Sequence, residues 1–225
     1  MLQAAVHSKP LFDGMKDHPE LFTYLPWRPF TSIEDLNNVH LQYFESNQGW
    51  VWLVVHDKTR ATTADPDGPL AGVMGYINSS ESNLVTEIGA VIVLPPFQRT
   101  HVASNAVGVM LNYALNVPLG DFKSPPGTTT GPGLGLRRVV WQANFLNKPS
   151  IRLAERMGFQ HEGVARWHMV LPIGSPEVAC NGKARRDGDP KRDQIGRNTA
   201  VMSLCWDDWE DGGRVRVGEI IRREK

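Results

Sequence analysis

Hydrophobic positions along the chain recur at two spacings, and the order of those spacings predicts the architecture. Residues 10–25 mix helix formers with the breakers Gly14 and Pro19, which predicts one or two short helices; Pro26 and Pro29 then mark a loop. Thr31-Ser32-Ile33-Glu34 fits a capping box, where a hydroxyl and a carboxylate satisfy orphan amides reciprocally. Ile33, Leu36, Val39 and Tyr43 follow at helical spacing and predict an amphipathic helix over 32–46. From Trp50 the texture becomes β-branched and aromatic, predicting strands at 50–55, 70–78 and 84–94 with short turns between them, an antiparallel meander.

After the break Leu94-Pro95-Pro96-Phe97, helical spacing returns: Val102, Ala106, Val109, Met110 and Tyr113 share one predicted helix face. Residues 120–135, rich in Gly, Pro and Thr, read as a surface loop, and a strand follows at 136–143. Asn147 caps a short helix that turns Ile151, Ala154 and Met157 to the core and stops at Gly158. A strand over 159–171, a polar excursion over 172–197 and a last strand from Thr199 to Trp206 complete the series. This mixed order predicts an α/β (α+β) fold on one domain, not a doubly wound parallel sheet, in which strand and helix would alternate throughout.

Composition narrows the function classes. The 225 residues are 41% hydrophobic, enough for a well-buried core. Lys+Arg and Asp+Glu stand at 24 each, a balance that gives no broad attraction to nucleic acid or membrane; the basic run Arg222-Arg223-Glu224-Lys225 reads as a solvated tail. Cys180 and Cys205 show no metal-ligand spacing and read as reduced thiols. The first residues make a poor signal peptide and no long apolar run spans a membrane, so the expected compartment is the cytoplasm.

Two segments carry candidate chemistry. The strand at 84–94 runs through Gln98-Arg99-Thr100-His101-Val102-Ala103-Ser104 straight into a helix. Helix N-terminal amides, Arg99 and the hydroxyls of Thr100 and Ser104 suit a diphosphate; the plainer alternative is an ordinary strand–helix connection with one surface arginine. Asn147 and Ser150 sit at a second strand–helix junction, where helix capping alone also accounts for them.

Together these segments extend to a longer pattern: Glu87-Ile88-Gly89, Pro95-Pro96-Phe97-Gln98-Arg99-Thr100, Trp141, Asn147-Lys148-Pro149-Ser150, and Arg152-Leu153-Ala154-Glu155-Arg156-Met157-Gly158-Phe159. With Pro19–Pro26, Glu162-Gly163-Val164 and Arg197-Asn198-Thr199-Ala200, the series resembles the RimJ/RimL-like branch of the GNAT superfamily over residues from about 10 to 209. The resemblance implies a GNAT fold, with a mostly antiparallel sheet of six to seven strands splayed at an acetyl-CoA site. Gln98 to Ser104 (Gln98, Arg99, Thr100, His101, Val102, Ala103, Ser104) would hold the coenzyme pyrophosphate. Backbone groups near Val91, Ile92 and Val93 would pair with pantetheine, one of their amides polarising the thioester carbonyl. Asn147 would contact the coenzyme arm. Ser150 would protonate the leaving thiolate, and Glu87 would act as the base, the alternative for Glu87 being a solvent-facing carboxylate on an edge strand.

The implied activity is acetyl transfer from acetyl-CoA to a primary amine, a protein N-terminus or a small molecule, by direct attack in a ternary complex. No metal and no cysteine intermediate enters it. A catalytically weak acyl-CoA-binding protein and an acyltransferase with another donor are the competing readings. Tyr24, Trp27 and Phe30 fall where the family's acceptor-side helices lie; they line an acceptor pocket or pack the core. His168 is equally open. The pattern departs from the family in two places. The phosphate loop lacks the usual glycines, and residues 1–9 are too weakly patterned for the opening strand, which leaves a sheet edge that a second copy could pair with, so monomer and homodimer both stand.

Overall fold

The computed structural model describes residues 1–118 and 132–222. The glycine-rich loop is therefore described only from residue 132 and the basic run only at Arg222; the remainder of both lies outside the described residues.

Six strands form one sheet in the order β1-β2-β3-β4-β6-β5: β1 (Val51–His56), β2 (Leu70–Ser80), β3 (Val85–Val93), β4 (Arg138–Asn144), β5 (Gln160–Val170) and β6 (Gly196–Cys205). All neighbours are antiparallel except β3 and β4, which run parallel and pair only over Val85–Glu87 against Arg138–Val140. The first three strands are the meander that the spacing predicts.

Helices cover both faces. On one, α3 (Val102–Leu115), α4 (Lys148–Arg156) and α6 (Arg214–Ile221) enclose Met74, Ile88, Leu111, Trp141, Met157, Met202 and Trp209; a single turn, α5 (Trp206–Asp208), precedes α6. On the other, α1 (Ala4–Met15) and α2 (Ile33–Val39) enclose Leu11, Met15, Leu36, Phe44, Trp52, Val73 and Ile92. No helix among the described residues is long and apolar enough to cross a membrane.

One irregularity sets the site. Gly75 pairs with Gly89 and Val73 with Ile92, so Ala90 and Val91 together oppose Met74 alone. This β-bulge adds one residue to β3 and reverses its facing: Ile88 lies in the α3-side core and Ile92 in the α1-side core, although four residues apart they would otherwise share a face. Ala90 takes φ +52° to make the bend, and the Trp52 indole Nε1 donates to its carbonyl at 3.1 Å.

Several expectations are corrected. Residues 4–15 form α1 straight through Pro10 and Gly14, and Leu2 N–H donates to Trp52 O at 2.7 Å on the β1 edge. The α2 cap is Ser32, not Thr31: Ser32 Oγ accepts from Asp35 N–H at 3.1 Å, and Asp35 Oδ2 accepts from Thr31 N–H. After Val39 the helical course continues to Glu45 as a wider π turn. In α3 the buried face is Val107, Met110, Leu111, Ala114 and Leu115, whereas Val109 and Tyr113 are exposed. Val102 and Met110 are buried as the spacing predicts; apolar residues surround that helix, so spacing alone misplaced Val109 and Tyr113.

Candidate active site

The β3–β4 ladder stops at Glu87 and Val140, and beyond it the two strands diverge. From Ile88 onward the β4-facing edge of β3 has no partner strand. The wedge opens into a cavity of about 330 Å³ lined by Glu87 to Val91 of β3, Trp141 to Asn144 of β4, the α4 cap Asn147 and Ser150 of α4, Ile77 and Asn78 of β2, Trp50, and residues from β5, β6 and the 24–27 segment.

Glu87 sits at the apex. It is 6% exposed in the middle of the sheet, so the solvent-facing, edge-strand alternative is excluded. Burial raises its pKa to about 7, against the opposing influence of the Asn78 hydrogen bond and the Arg197 charge. Asn78 Nδ2 and Gln142 Nε2 both donate to Glu87 Oε2, at 2.9 and 3.1 Å, which fixes the carboxyl without neutralising it. Arg197, 5% exposed on β6, lines the same cavity; burial lowers its pKa to about 10, countered by Glu87. At neutral pH the site thus holds a permanent cation beside a carboxyl poised to take or release a proton.

Ser150 lies on the first turn of α4. Its amide donates to Asn147 Oδ1 at 3.2 Å, so the helix cap read from the sequence is present. The Trp141 indole Nε1 donates to Ser150 Oγ at 3.0 Å. Because the hydroxyl oxygen is already an acceptor, its own hydrogen is left to donate elsewhere, and that donation is strengthened.

A second recess, of about 350 Å³, lies at the N-terminus of α3 and is lined by Arg99, Thr100, His101, Ser104, Arg156, Arg216, Glu219 and Ile220. Three arginines against one carboxylate, at the N-terminus of a 14-residue helix, give the recess a positive bias that suits an anion. Arg99 holds φ +60°, a conformation costly for a side-chain-bearing residue. Arg156 Nη2 donates to Ser104 Oγ at 3.1 Å, fixing that arginine in the recess. Ser150 and Arg156 stand at opposite ends of α4, about 9 Å apart along its axis, so one helix reaches both the cavity and the recess.

The predicted residues divide accordingly. Glu87, Val91, Asn147 and Ser150 come together in the cavity, and Arg99, Thr100, His101 and Ser104 in the recess. The hydroxyls expected to face an anion are internally committed: Thr100 donates to Phe97 O at 2.6 Å and Ser104 to His101 O at 3.3 Å. His101 Nε2 lies 3.3 Å from Asp57 Oδ1, an ion-pairing contact when it is protonated. Ile92 and Val102 are core residues, Ala103 and Val93 line neither space, and Gln98 Nε2 donates to Val93 O. Tyr24 and Trp27 line the cavity while Phe30 is buried against Phe22. Sequence reasoning left Asn78, Gln142 and Arg216 out of the site and gave no role to Arg156 or Arg197. The helical spacing of Val217, Ile220 and Ile221 is a signal for a helix there, which the sequence reading left out, but it does not say that the helix brings Arg216 to the recess.

The comparisons bear on the fold. Among curated proteins, none matches the sequence. A GCN5-related N-acetyltransferase from Brucella melitensis superposes with a TM-score of 0.70 at 24% identity, over 97% of this chain and 80% of that one. A probable GNAT-family acetyltransferase from Chromobacterium violaceum gives 0.68 at 24% identity, over 93% and 82%. Spermidine N-acetyltransferase from Vibrio cholerae, solved with CoA and spermine, gives 0.60 at 14%, over 93% and 97%. The family described as "Acetyltransferase (GNAT) domain" matches residues 3–160, more than half the sequence, and the chain belongs to it.

Proposed function

We propose that this chain transfers the acetyl group of acetyl-CoA to a primary amine by direct attack in a ternary complex, as a member of the RimJ/RimL-like branch. The observation that carries the reading is Glu87: a buried carboxyl with a pKa of about 7, in one cavity with the Ser150 hydroxyl, at the point where β3 leaves β4. The open β3 edge and the three-arginine recess fit an extended ligand with a phosphorylated end. The Vibrio relative, solved with CoA and a polyamine, supports an amine as the nucleophile.

Bound acetyl-CoA supplies an activated acetyl thioester. Arg99, Arg156 and the α3 amides hold its phosphates. An ammonium group must lose a proton before its nitrogen can attack, and Glu87, ionised above about pH 7, takes that proton, relayed by a water molecule. A free amide of β3 near Val91 faces the thioester carbonyl and stabilises the negative charge that develops there. The N–C bond forms as the C–S bond breaks. The nitrogen gives up two protons in all: the first, lost from the ammonium before attack, passes through Glu87 to solvent, and the second passes to Glu87 as the N–C bond forms. Ser150 gives its proton to the departing sulfur and is reprotonated from Glu87 through solvent, so the net products are the amide, the free thiol and one proton. Neither Cys180 nor Cys205 lines the cavity, which fits a direct transfer.

The test is calorimetric binding of CoA, followed by thiol release from acetyl-CoA across an amine panel, in the wild type and in Ser150→Ala and Glu87→Gln. Binding with amine-dependent release, weakened in both variants, is the expected result. Binding without release from any amine would leave the acyl-CoA-binding alternative; no binding would end both.

A further inference from the structure

Arg197 has a capacity that acetyl transfer from a coenzyme does not use. It is 5% exposed, it lines the cavity, and its Nε has no hydrogen-bond partner among the described residues. Among the described residues its guanidinium makes one hydrogen bond, from Nη1 to Tyr24 O, at a long 3.3 Å. A buried guanidinium carries five N–H donors in a planar fork and is costly to bury without partners. Glu87 is near enough to offset part of that cost, but both of its hydrogen bonds come from Asn78 and Gln142, not from Arg197. The guanidinium is therefore under-satisfied and faces a space that a ligand can enter.

The charge around that space limits the ligand further. Glu87 is the one carboxylate among the lining residues and Arg197 the one permanent cation; His168, held through Nδ1 by Thr199 Oγ1 at 3.0 Å, is the other titratable base. A polycation would meet an arginine and a single carboxylate that is half protonated at pH 7. A molecule with one amine and one carboxylate would meet a partner for each group. The apolar part of the wall away from α4 includes Tyr24, Leu25, Trp27, Trp50 and Ile77. At about 330 Å³ the cavity must also admit the acetyl end of the coenzyme, so the acceptor is small.

We infer that the acceptor is a small amino acid-type molecule whose carboxylate is gripped by the Arg197 fork while its amine lies against Glu87, with an aromatic or large aliphatic side chain on the Tyr24–Trp27–Trp50 wall. This rests on the acetyl-transfer reading above and names its substrate class. It sets aside polyamines, and also protein N-termini, which carry no carboxylate next to the amine. A guanidinium–carboxylate fork is a two-bond, charge-assisted contact, so removing the carboxylate from the acceptor weakens binding on the order of 100-fold.

The experiment compares phenylalanine with phenylalaninamide, phenethylamine and spermidine. Thiol release from acetyl-CoA is followed alongside calorimetric binding of each compound to the CoA-loaded protein. The expected result is binding and turnover of phenylalanine, with KM raised about 100-fold or more for the two analogues lacking the carboxylate, and no turnover of spermidine. Arg197→Gln should abolish the preference, raising KM for phenylalanine far more than that for phenethylamine, so that the two converge; Arg197→Lys, which keeps the charge but not the fork, should restore the preference in part. Equal turnover of phenylalanine and phenethylamine, or a preference for spermidine, overturns the inference and leaves acetyl transfer standing. Binding of phenylalanine that is insensitive to Arg197→Gln also overturns it. An absence of thiol release with every amine overturns the acetyl-transfer reading itself.

Discussion

The indole Nε1 of Trp141 on β4 donates a 3.0 Å hydrogen bond to the Oγ of Ser150 on α4. The bond crosses from the diverging strand to the helix that follows it, so it sets where the hydroxyl hydrogen points as well as how readily it is given.

Ser150→Ala should therefore lower kcat by about 10- to 100-fold with KM for acetyl-CoA little changed, because the proton to the sulfur is delivered only as the bond breaks. It also leaves the Trp141 N–H without its acceptor, at a cost of about 1–2 kcal/mol in a half-buried setting. Trp141→Phe tests the positioning separately: the hydroxyl stays, and a smaller drop in kcat with unchanged KM is expected. Steady-state kinetics with a urea midpoint for each variant resolves the two effects.

Glu87 makes the pH profile diagnostic. The acceptor-dependent kcat/KM should rise as pH passes through about 7, where the carboxyl ionises. In Glu87→Gln that limb should vanish and the rate at pH 8 should fall by about 100-fold, leaving only the acceptor amine's own ionisation at higher pH. A Gln variant with the same limb near 7 would remove Glu87 from the mechanism.

The same residue affects stability with a definite sign. Its pKa is 4.5 by default and about 7 in the fold, so the folded state holds the proton more tightly than the unfolded one. Its contribution is therefore fully present below pH 4.5 and is lost as pH rises through about 7, amounting to about 3 kcal/mol at most. Glu87→Gln should lose this component of the slope. Its melting temperature should fall less than that of the wild type between pH 5 and 8, as measured by differential scanning calorimetry in buffers of matched ionic strength.

Most of the strands, and the junctions where the chemistry lies, were legible in the sequence. Trp50-Val51-Trp52-Leu53-Val54-Val55 and the Asn147 cap fall where their residue types predict, since those signals are local. The rest depends on long-range contacts. Glu87 looks like any strand carboxylate until β4 and β6 cover it. Arg197 and Glu87 are brought together only by the β4–β6 pairing. The buried stripe of α3 is decided by α6, whose Val217 and Ile221 press on Gly108; a Cβ there would come within 2.4 Å of Ile221 Cγ2. Nothing near residue 108 announces a helix more than a hundred residues later.

Arg156 offers a check on the recess. Arg156→Ala should raise KM for acetyl-CoA about 10-fold and flatten its dependence on salt, because one charge-assisted contact to a phosphate is lost. Dephospho-CoA and CoA titrated into both proteins would show which phosphate the arginine serves.

The interrupted β3–β4 pairing has one more consequence. A row of unsatisfied backbone donors and acceptors is ordinarily a hazard, since any extended chain can add to it and propagate an aggregate. Here the row lies between two strands of the same sheet, inside a cavity bounded by β4 and the start of α4. A small extended ligand that fits about 330 Å³ can use the sheet's hydrogen-bonding appetite, in a place where both flanking strands already belong to the sheet.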